Sequence, residues 1–245
     1  MFENKLTDRM AKYNILKELE NSFKKDFNLT PCLGAELEFY LLNIQDNLQL
    51  LKLEQSIGQK IKKEKGYKQY EIEIPPSTCV ASYPEIICKM RNKIRAEARK
   101  LDLIANFQPK LFPNDYGSSM HIHFNCLEDD DTEKYAKILC HYLPQTIDAF
   151  LQKPKDYKRL DSRFMAPTHI SYGGNNRTTL IRIPDLLPRR LEHRLASADA
   201  DPYKVIYAIL SSINTGLKHP EQIVKLDKTY GNAYDPQYNL AKIIK

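Results

Sequence analysis

Glycine is scarce, with eight in 245 residues, and none falls in a G-x-G-x-x-G or G-x-x-x-x-G-K-[ST] arrangement. Neither glycine-loop nucleotide motif is therefore available, and any nucleotide must be held by other groups. The five cysteines (Cys32, Cys79, Cys88, Cys126 and Cys140) are odd in number and include no C-x-x-C pair. That argues against a disulfide framework or a zinc ribbon and points to a reduced, cytoplasmic setting. No stretch approaches about 18 uninterrupted apolar residues, so neither a membrane span nor a membrane partner is expected. The first 27 residues carry Glu3, Asp8, Glu18, Glu20 and Asp26, which is too acidic for a secretory or transit peptide. One strong charge sign is missing too: 37 Lys+Arg against 31 Asp+Glu leaves +6. With 26 Lys and 11 Arg, that excess describes a solvated basic surface, and nucleic acid is not an expected partner.

What is present fits a globular chain, at 42% hydrophobic and 28% charged residues. Residues from about Leu6 to Phe27 read as an amphipathic helix with Met10, Tyr13, Leu16 and Leu19 at helical spacing. From Cys32 to Leu42 the period becomes two: Ala35, Leu37, Phe39 and Leu41 on one face, Gly34, Glu36, Glu38 and Tyr40 on the other. A polar connection, Gln55 to Lys65, leads to a second alternating run, where Tyr70, Ile72 and Ile74 oppose Gln69, Glu71 and Glu73. Pro75-Pro76 is expected to end it. Ser82-Tyr83-Pro84-Glu85 reads as a capping box opening a helix to about Asp102. A third strand sets Met120, Ile122, Phe124 and Cys126 against His121, His123 and Asn125. Another helix starts near Asp131 and runs to Pro144 or slightly beyond. Short strands follow at Leu180 to Ile183 and Arg190 to Leu195, and Asp201-Pro202 opens a last long helix. The pattern predicts an α+β, two-layer architecture: a curved antiparallel sheet covered on one face by helices. Three segments are expected, namely a helical 1–30, a main domain 31–217 and a helical tail 218–245.

The polar strand faces are unusual. They carry Glu36/Glu38, Glu71/Glu73, His121/His123, Arg182 and Arg190/Glu192/Arg194, with no lysine. The 36 residues from Arg159 to Arg194 hold seven Arg and no Lys. Arginine is selected over lysine where a planar fork must hold a carboxylate or phosphate. Glutamates two residues apart on a strand, ~7 Å at ~3.3 Å per residue, suit adjacent divalent cations, and one imidazole among them fits Mg²⁺ or Mn²⁺. A surrounding arginine set implies a polyphosphate together with a carboxylate.

Five ordered segments resemble the signatures of the glutamine synthetase catalytic domain: Gly34-Ala-Glu36-Leu-Glu38, Gln69-Tyr-Glu71, Gly117-Ser-Ser-Met120-His121-Ile-His123, Asn176-Arg177-Thr-Thr-Leu-Ile-Arg182, and Arg190-Leu-Glu192-His-Arg194. The resemblance spans residues 31 to 217 and implies an ATP-dependent ligase in which a glutamate side chain is phosphorylated and an amine displaces the phosphate. It implies Glu38 and Glu71 at one metal, and Glu36, His121 and Glu192 at the other. His123, Arg182 and Arg190 would meet ATP phosphates, Arg177 the transferred phosphoryl group, and Arg159 and Arg194 the substrate carboxylates, with Gly117 beside the amino-acid substrate. The implied partners are glutamate or a related carboxylate and ammonia or another amine, with a homo-oligomer possible.

This chain departs from the family pattern at four places. Glu64 stands one residue out of register for a further family glutamate. Met165 occupies the place of a flap glutamate thought to take a proton from ammonium. Tyr116 replaces an asparagine and Ser119 a glycine. The family's N-terminal β-grasp domain is expected to be missing. A non-catalytic relative that binds nucleotide or metal is the alternative reading, and a cupin-like metal motif, Gly117…His121-Ile-His123…Glu128, ranks third.

Overall fold

The computed structural model describes residues 2–243, with side chains from residue 8 onward. The chain runs α1 (Phe2–Phe27), β1 (Pro31–Leu42), α2 (Asn47–Ile57), β2 (Lys62–Lys63), β3 (Gln69–Ser77), α3 (Tyr83–Lys100), β4 (Ile104–Asn106), β5 (Met120–Cys126), α4 (Thr132–Phe150), β6 (Tyr172–Gly173), β7 (Ile181–Arg182), β8 (Leu191–His193) and α5 (Pro202–Lys218). One sheet of eight strands has the order β2-β3-β1-β5-β8-β7-β6, with β4 paired to the far end of β1. Its ladders are antiparallel except β6–β7, which is parallel, so the sheet is mixed where a purely antiparallel one was expected.

Period-two alternation places the core. Ala35, Leu37, Ile72, Ile74, Met120, Ile122, Phe124, Leu191 and Ile181 are buried on the sheet face covered by helices. Helix α5 packs against α1, α3 and α4, with Val205, Ile206, Ile209, Leu210 and Ile213 inside. Asp201 and Asp131 cap α5 and α4, their side chains accepting from Tyr203 N and Lys134 N at 2.9 and 3.0 Å.

Several expectations fail for local reasons. Ser82 makes no side-chain cap bond and is itself helical in backbone, so the capping box at α3 does not form. Pro75 and Pro76 do not end β3, which continues to Ser77 through a shift in register against β1. Met10 and Tyr13 are exposed, and α1 docks through Leu16 and Phe23. Helix α2, Asn47–Ile57, was not expected and runs into the start of the polar connection. Its signals are end signals: Asp46 accepts from Gln49 N, and Gly58 closes the helix at φ 71°.

Among the described residues the tail beyond Lys218 is not an α-helix. It holds two 3₁₀ turns, Pro220–Gln222 and Pro236–Tyr238. The remainder runs extended along the β6 edge, with Thr229 N donating to Tyr172 O and Ile170 N to Ala241 O. Pro220, Gly231 and Pro236 interrupt any helical run there. Residues 244–245 lie outside the described residues.

Candidate active site

Register builds the site. On the face away from the helices, Glu36 lies opposite both Glu73 of β3 and His121 of β5, and Glu38 lies opposite Glu71. One step along, Gly34, His123, Glu192 and Arg182 form a row across β1, β5, β8 and β7. A Cβ at Gly34 would stand 3.4 Å from that of His123, so the two strands pack closely there. Glu36, Glu38, Glu71, Glu73, His121 and Arg182 border a cavity of about 460 Å³ closed by loops that carry Tyr116, Gly117, Arg159, Met165, Arg177 and Arg190.

Of the twelve residues expected in the site, ten line this cavity: Glu36, Glu38, Glu71, His121, Gly117, Arg159, Arg177, Arg182, Arg190 and Arg194. Glu192 and His123 stand directly behind them. His121 Nδ1 lies 3.0 Å from Glu36 Oε2 and 3.4 Å from Glu192 Oε1. Ligand atoms of Glu36, Glu71 and His121 come within 4.8 Å of one another, as do those of Glu36, His123 and Glu192. Glu71 thus groups with Glu36 and His121 where Glu38 was the expected companion. The reason is Ser119, whose N–H and hydroxyl both donate to Glu38 Oε2 (2.8 and 2.6 Å) and turn that carboxylate aside.

The arginines are engaged with the protein. Arg182 and Arg194 donate to opposite oxygens of Glu192, at 2.6 and 3.1 Å. Arg182 also reaches Asn175 Oδ1 at 2.7 Å. Arg159 is buried and donates to the carbonyls of Leu195 and Arg194, at 2.7 and 3.2 Å. Arg190 donates to His123 Nδ1 at 3.2 Å, and His123 Nε2 lies 3.2 Å from Glu36 Oε1. His123 is therefore held between Arg190 and Glu36, behind the cavity wall. Arg177 alone of the set is exposed. Gly117 is required by packing, because a Cβ there would come within 2.7 Å of Arg159 Cβ.

Electrostatics follow from burial among like charges. Burial pushes the Glu71 carboxyl well up, and the charges of Glu36, Glu38 and Glu64 add to it. Burial would also raise Glu36 and Glu192. Bonds from His121 and His123 instead hold Glu36 below the usual carboxylate range, and His121, Arg194 and Arg182 do so for Glu192. Burial opposes charge on His121, but Glu192, Glu36 and Glu38 outweigh it and raise its affinity for a proton.

The ring geometry gives a test of metal fit. Ser119 Oγ spends its one proton on Glu38, so at 2.8 Å it can only accept from His121 Nε2. The Nδ1 lone pair then faces two carboxylates, an arrangement that requires a proton or a metal cation between them. All donors are carboxylate oxygens and imidazole nitrogens, with no thiolate, which suits Mg²⁺ or Mn²⁺.

Glu64 also belongs to the cavity, despite its short spacing. Residues 62–71 form a hairpin in which Lys62 pairs with Glu71 and Glu64 N–H bonds Gln69 O. Pairing across the hairpin fixes the face of Glu64 whatever the turn length. Burial and Glu38 raise its carboxyl. Lys62 and Asn175, which line the cavity too, carry no pattern in the sequence that would single them out. Glu128 is exposed and bound to the N–H and hydroxyl of Thr30, at 2.6 and 2.7 Å. It joins neither histidine group, which removes the cupin-like set.

The model of the glutamine synthetase catalytic domain matches residues 50–244, starting after β1 with its Glu36 and Glu38. The γ-glutamylputrescine synthetase PuuA of Escherichia coli (strain K12) is 31% identical over 193 residues, covering 72% of this chain and 40% of that protein. The glutamine synthetase of Pyrococcus furiosus is 29% identical over 174 residues, covering 64% of this chain and 38% of its own length. The chain thus spans about two-fifths of the curated relatives it matches. Among solved structures, a GmaS/ADP complex aligns over 94% of this chain and 64% of its own, with TM-score 0.79 at 19% identity. Plasmodium falciparum glutamine synthetase aligns over 90% of this chain and 58% of its own, with TM-score 0.75 at 17% identity. The chain belongs to the glutamine synthetase catalytic-domain family.

Proposed function

We propose that residues 31–217 form the catalytic unit of an ATP-dependent carboxylate-amine ligase acting on glutamate or a related carboxylate. The observation that carries this reading is the position of His121 Nδ1, 3.0 Å from Glu36 Oε2 and 3.4 Å from Glu192 Oε1, beside a cavity that five arginines line. Glu36, Glu71, His121 and Glu192 would hold Mg²⁺ or Mn²⁺, with Glu38 and Glu64 alongside. Such a cation supplies charge neutralisation for a polyphosphate. Phosphoryl transfer asks the protein mainly for positioning and electrostatics.

In this reading Arg182 and Arg190 orient the ATP phosphates, His123 holds Arg190 from behind the cavity wall, and exposed Arg177 meets the γ-phosphoryl group. Arg159 and Arg194 face the carboxylates of the acid, with Gly117 leaving room beside them. A carboxylate oxygen attacks the γ-phosphorus and ADP leaves. The amine nitrogen then attacks the acyl carbon, phosphate leaves with the bond electrons, and the nitrogen's surplus proton passes to the departing phosphate or to solvent. Ammonia or another amine serves as nucleophile; the name of the Escherichia coli relative, γ-glutamylputrescine synthetase, favours including larger amines. A homo-oligomer suits the family. The test is phosphate release from ATP and Mg²⁺ with glutamate, screened over ammonia and several amines, with hydroxylamine as a trap. Glutamate-dependent hydroxamate is expected. Bound ATP with no glutamate-dependent release under any amine would establish the binding-only alternative, which Met165 in place of an acid favours.

A further inference from the structure

The family pattern has glycine where this chain has Ser119, and Ser119 is 2% exposed. A buried hydroxyl must satisfy its proton and lone pairs locally. Its proton goes to Glu38 Oε2 at 2.6 Å. A carboxylate only accepts and a serine has one proton, so the contact at 2.8 Å to His121 Nε2 runs from ring to hydroxyl. The opposite ring nitrogen, Nδ1, stands 3.0 Å from Glu36 and 3.4 Å from Glu192, and in the neutral ring that a metal would bind it is the one that carries the lone pair.

We propose that Ser119 is a positioning residue: its hydroxyl, anchored on Glu38, fixes His121 as the Nε2–H tautomer and presents Nδ1 to a divalent cation shared with Glu36 and Glu192. The assignment rests on the metal-dependent reading above. A neutral imidazole can bind a metal through one nitrogen only, and the hydrogen bond made by the other selects which. With glycine or alanine at 119, Glu38 keeps the backbone N–H at 2.8 Å, but the hydroxyl that couples it to His121 is lost. The ring would then lose the acceptor that holds its proton at Nε2.

The test uses the full chain with ¹⁵N-labelled histidine, of which there are six. In wild type saturated with Mg²⁺, ring ¹⁵N shifts should show His121 protonated at Nε2 alone. Ser119→Ala and Ser119→Gly should each weaken Mn²⁺ binding, followed by electron paramagnetic resonance, about tenfold. Both should mix or reverse the His121 tautomer while the thermal unfolding midpoint stays within a few degrees. Unchanged Mn²⁺ affinity together with an unchanged His121 pattern would overturn the proposal. So would an Nδ1–H tautomer in wild type, a result that needs no variant to fold. If wild type binds no Mn²⁺, the ligase reading fails. The tautomer read in metal-free protein at high pH then decides the Ser119 assignment by itself.

Discussion

The two halves of the cavity are built differently. One half is sheet: Glu36 and Glu38 on β1, Glu71 on β3, His121 on β5 and Glu192 on β8, each fixed by ladder pairing on both sides or by an adjoining strand. The other half is loop: Tyr116 and Gly117 precede β5, Arg159 ends a 3₁₀ turn, and Met165 sits at φ 57° after another. The sheet half brings together the carboxylates and the imidazole of Glu36, Glu38, Glu71, His121 and Glu192. The loop half holds the substitutions Tyr116 and Met165, and there Tyr116 packs edge to face on Phe164 at 5.4 Å. Strand registry cannot shift one residue without moving a whole face into the core, whereas a loop can exchange side chains singly. Under the proposed function, metal binding would rest on the part least free to change, and the choice of acid and amine on the part most free.

The sharpest way to break that contrast is Glu192→Gln. This carboxylate is 2% exposed and meets His121, Arg182 and Arg194. Neutralising it removes a ligand and strands two buried guanidinium groups. Mn²⁺ affinity should fall about 100-fold or more, measured by calorimetric titration. Glu128→Gln, at the exposed Thr30 contact, should change it less than about twofold. Comparable losses in the two variants would mean that the sheet half is not the metal half.

A smaller effect is expected on the opposite face of β8. His193 is buried against Phe150, rings 4.2 Å apart, with no hydrogen-bond partner at either nitrogen. Burial, then the neighbouring His121 charge, brings its pKa down to about 3. The unfolded chain takes up that proton near 6.5, so between 6.5 and 3 it binds more protons than the folded one. Stability is therefore full above about 6.5 and falls as pH drops below it. At pH 4.5 the loss is about 2 to 3 kcal/mol. His193→Phe keeps the stacked ring and removes the titration. Urea unfolding should show the variant gaining on wild type by about that amount between pH 7.5 and 4.5, and parallel profiles would contradict the assignment.

The same division separates what was readable in the sequence from what was not. Glu36, Glu71, His121 and Glu192 could be placed on one surface because alternation fixes faces, and antiparallel pairing then makes facing residues neighbours. The grouping of Glu71 with Glu36, and the retreat of His123 behind the cavity wall, depend on side-chain torsions that no period encodes. Glu64 was obscured by counting residues along a hairpin whose register matters more than its length. Strands β4 and β6, three and two residues long, are too short for a period to declare itself. Helix α2 buries only Leu53 and Ile57, so its apolar stripe is thin, and the caps at Asp46 and Gly58 carry the signal. Arg159 and Arg194 read as substrate forks, yet their hydrogen bonds go to main-chain carbonyls and Glu192.

Met165 sharpens the comparison from the loop side. It lines the cavity with Arg177, and Lys65 Nζ lies 3.1 Å from its sulfur. In the proposed function acyl-phosphate formation would draw on the carboxylate and imidazole ligands of the sheet half and on the arginines, whereas attack by ammonia profits from a nearby base that removes a proton. No side chain at 165 supplies one. In Met165→Glu the new carboxylate would lie beside Lys65, which favours its ionised form and so its capacity to accept that proton. The ammonia-dependent rate of amide formation should rise about tenfold, while ATP affinity changes less than about twofold because no phosphate-facing group has moved. Ammonium titrations of both proteins, reading amide product and ADP separately, check this. A wild type that already makes amide from ammonia as fast as the variant would show that the loop half does not limit the second step. A rise in single-turnover ADP formation without amine, as large as the rise in amide, would place the gain in the first step, against the division of labour argued here.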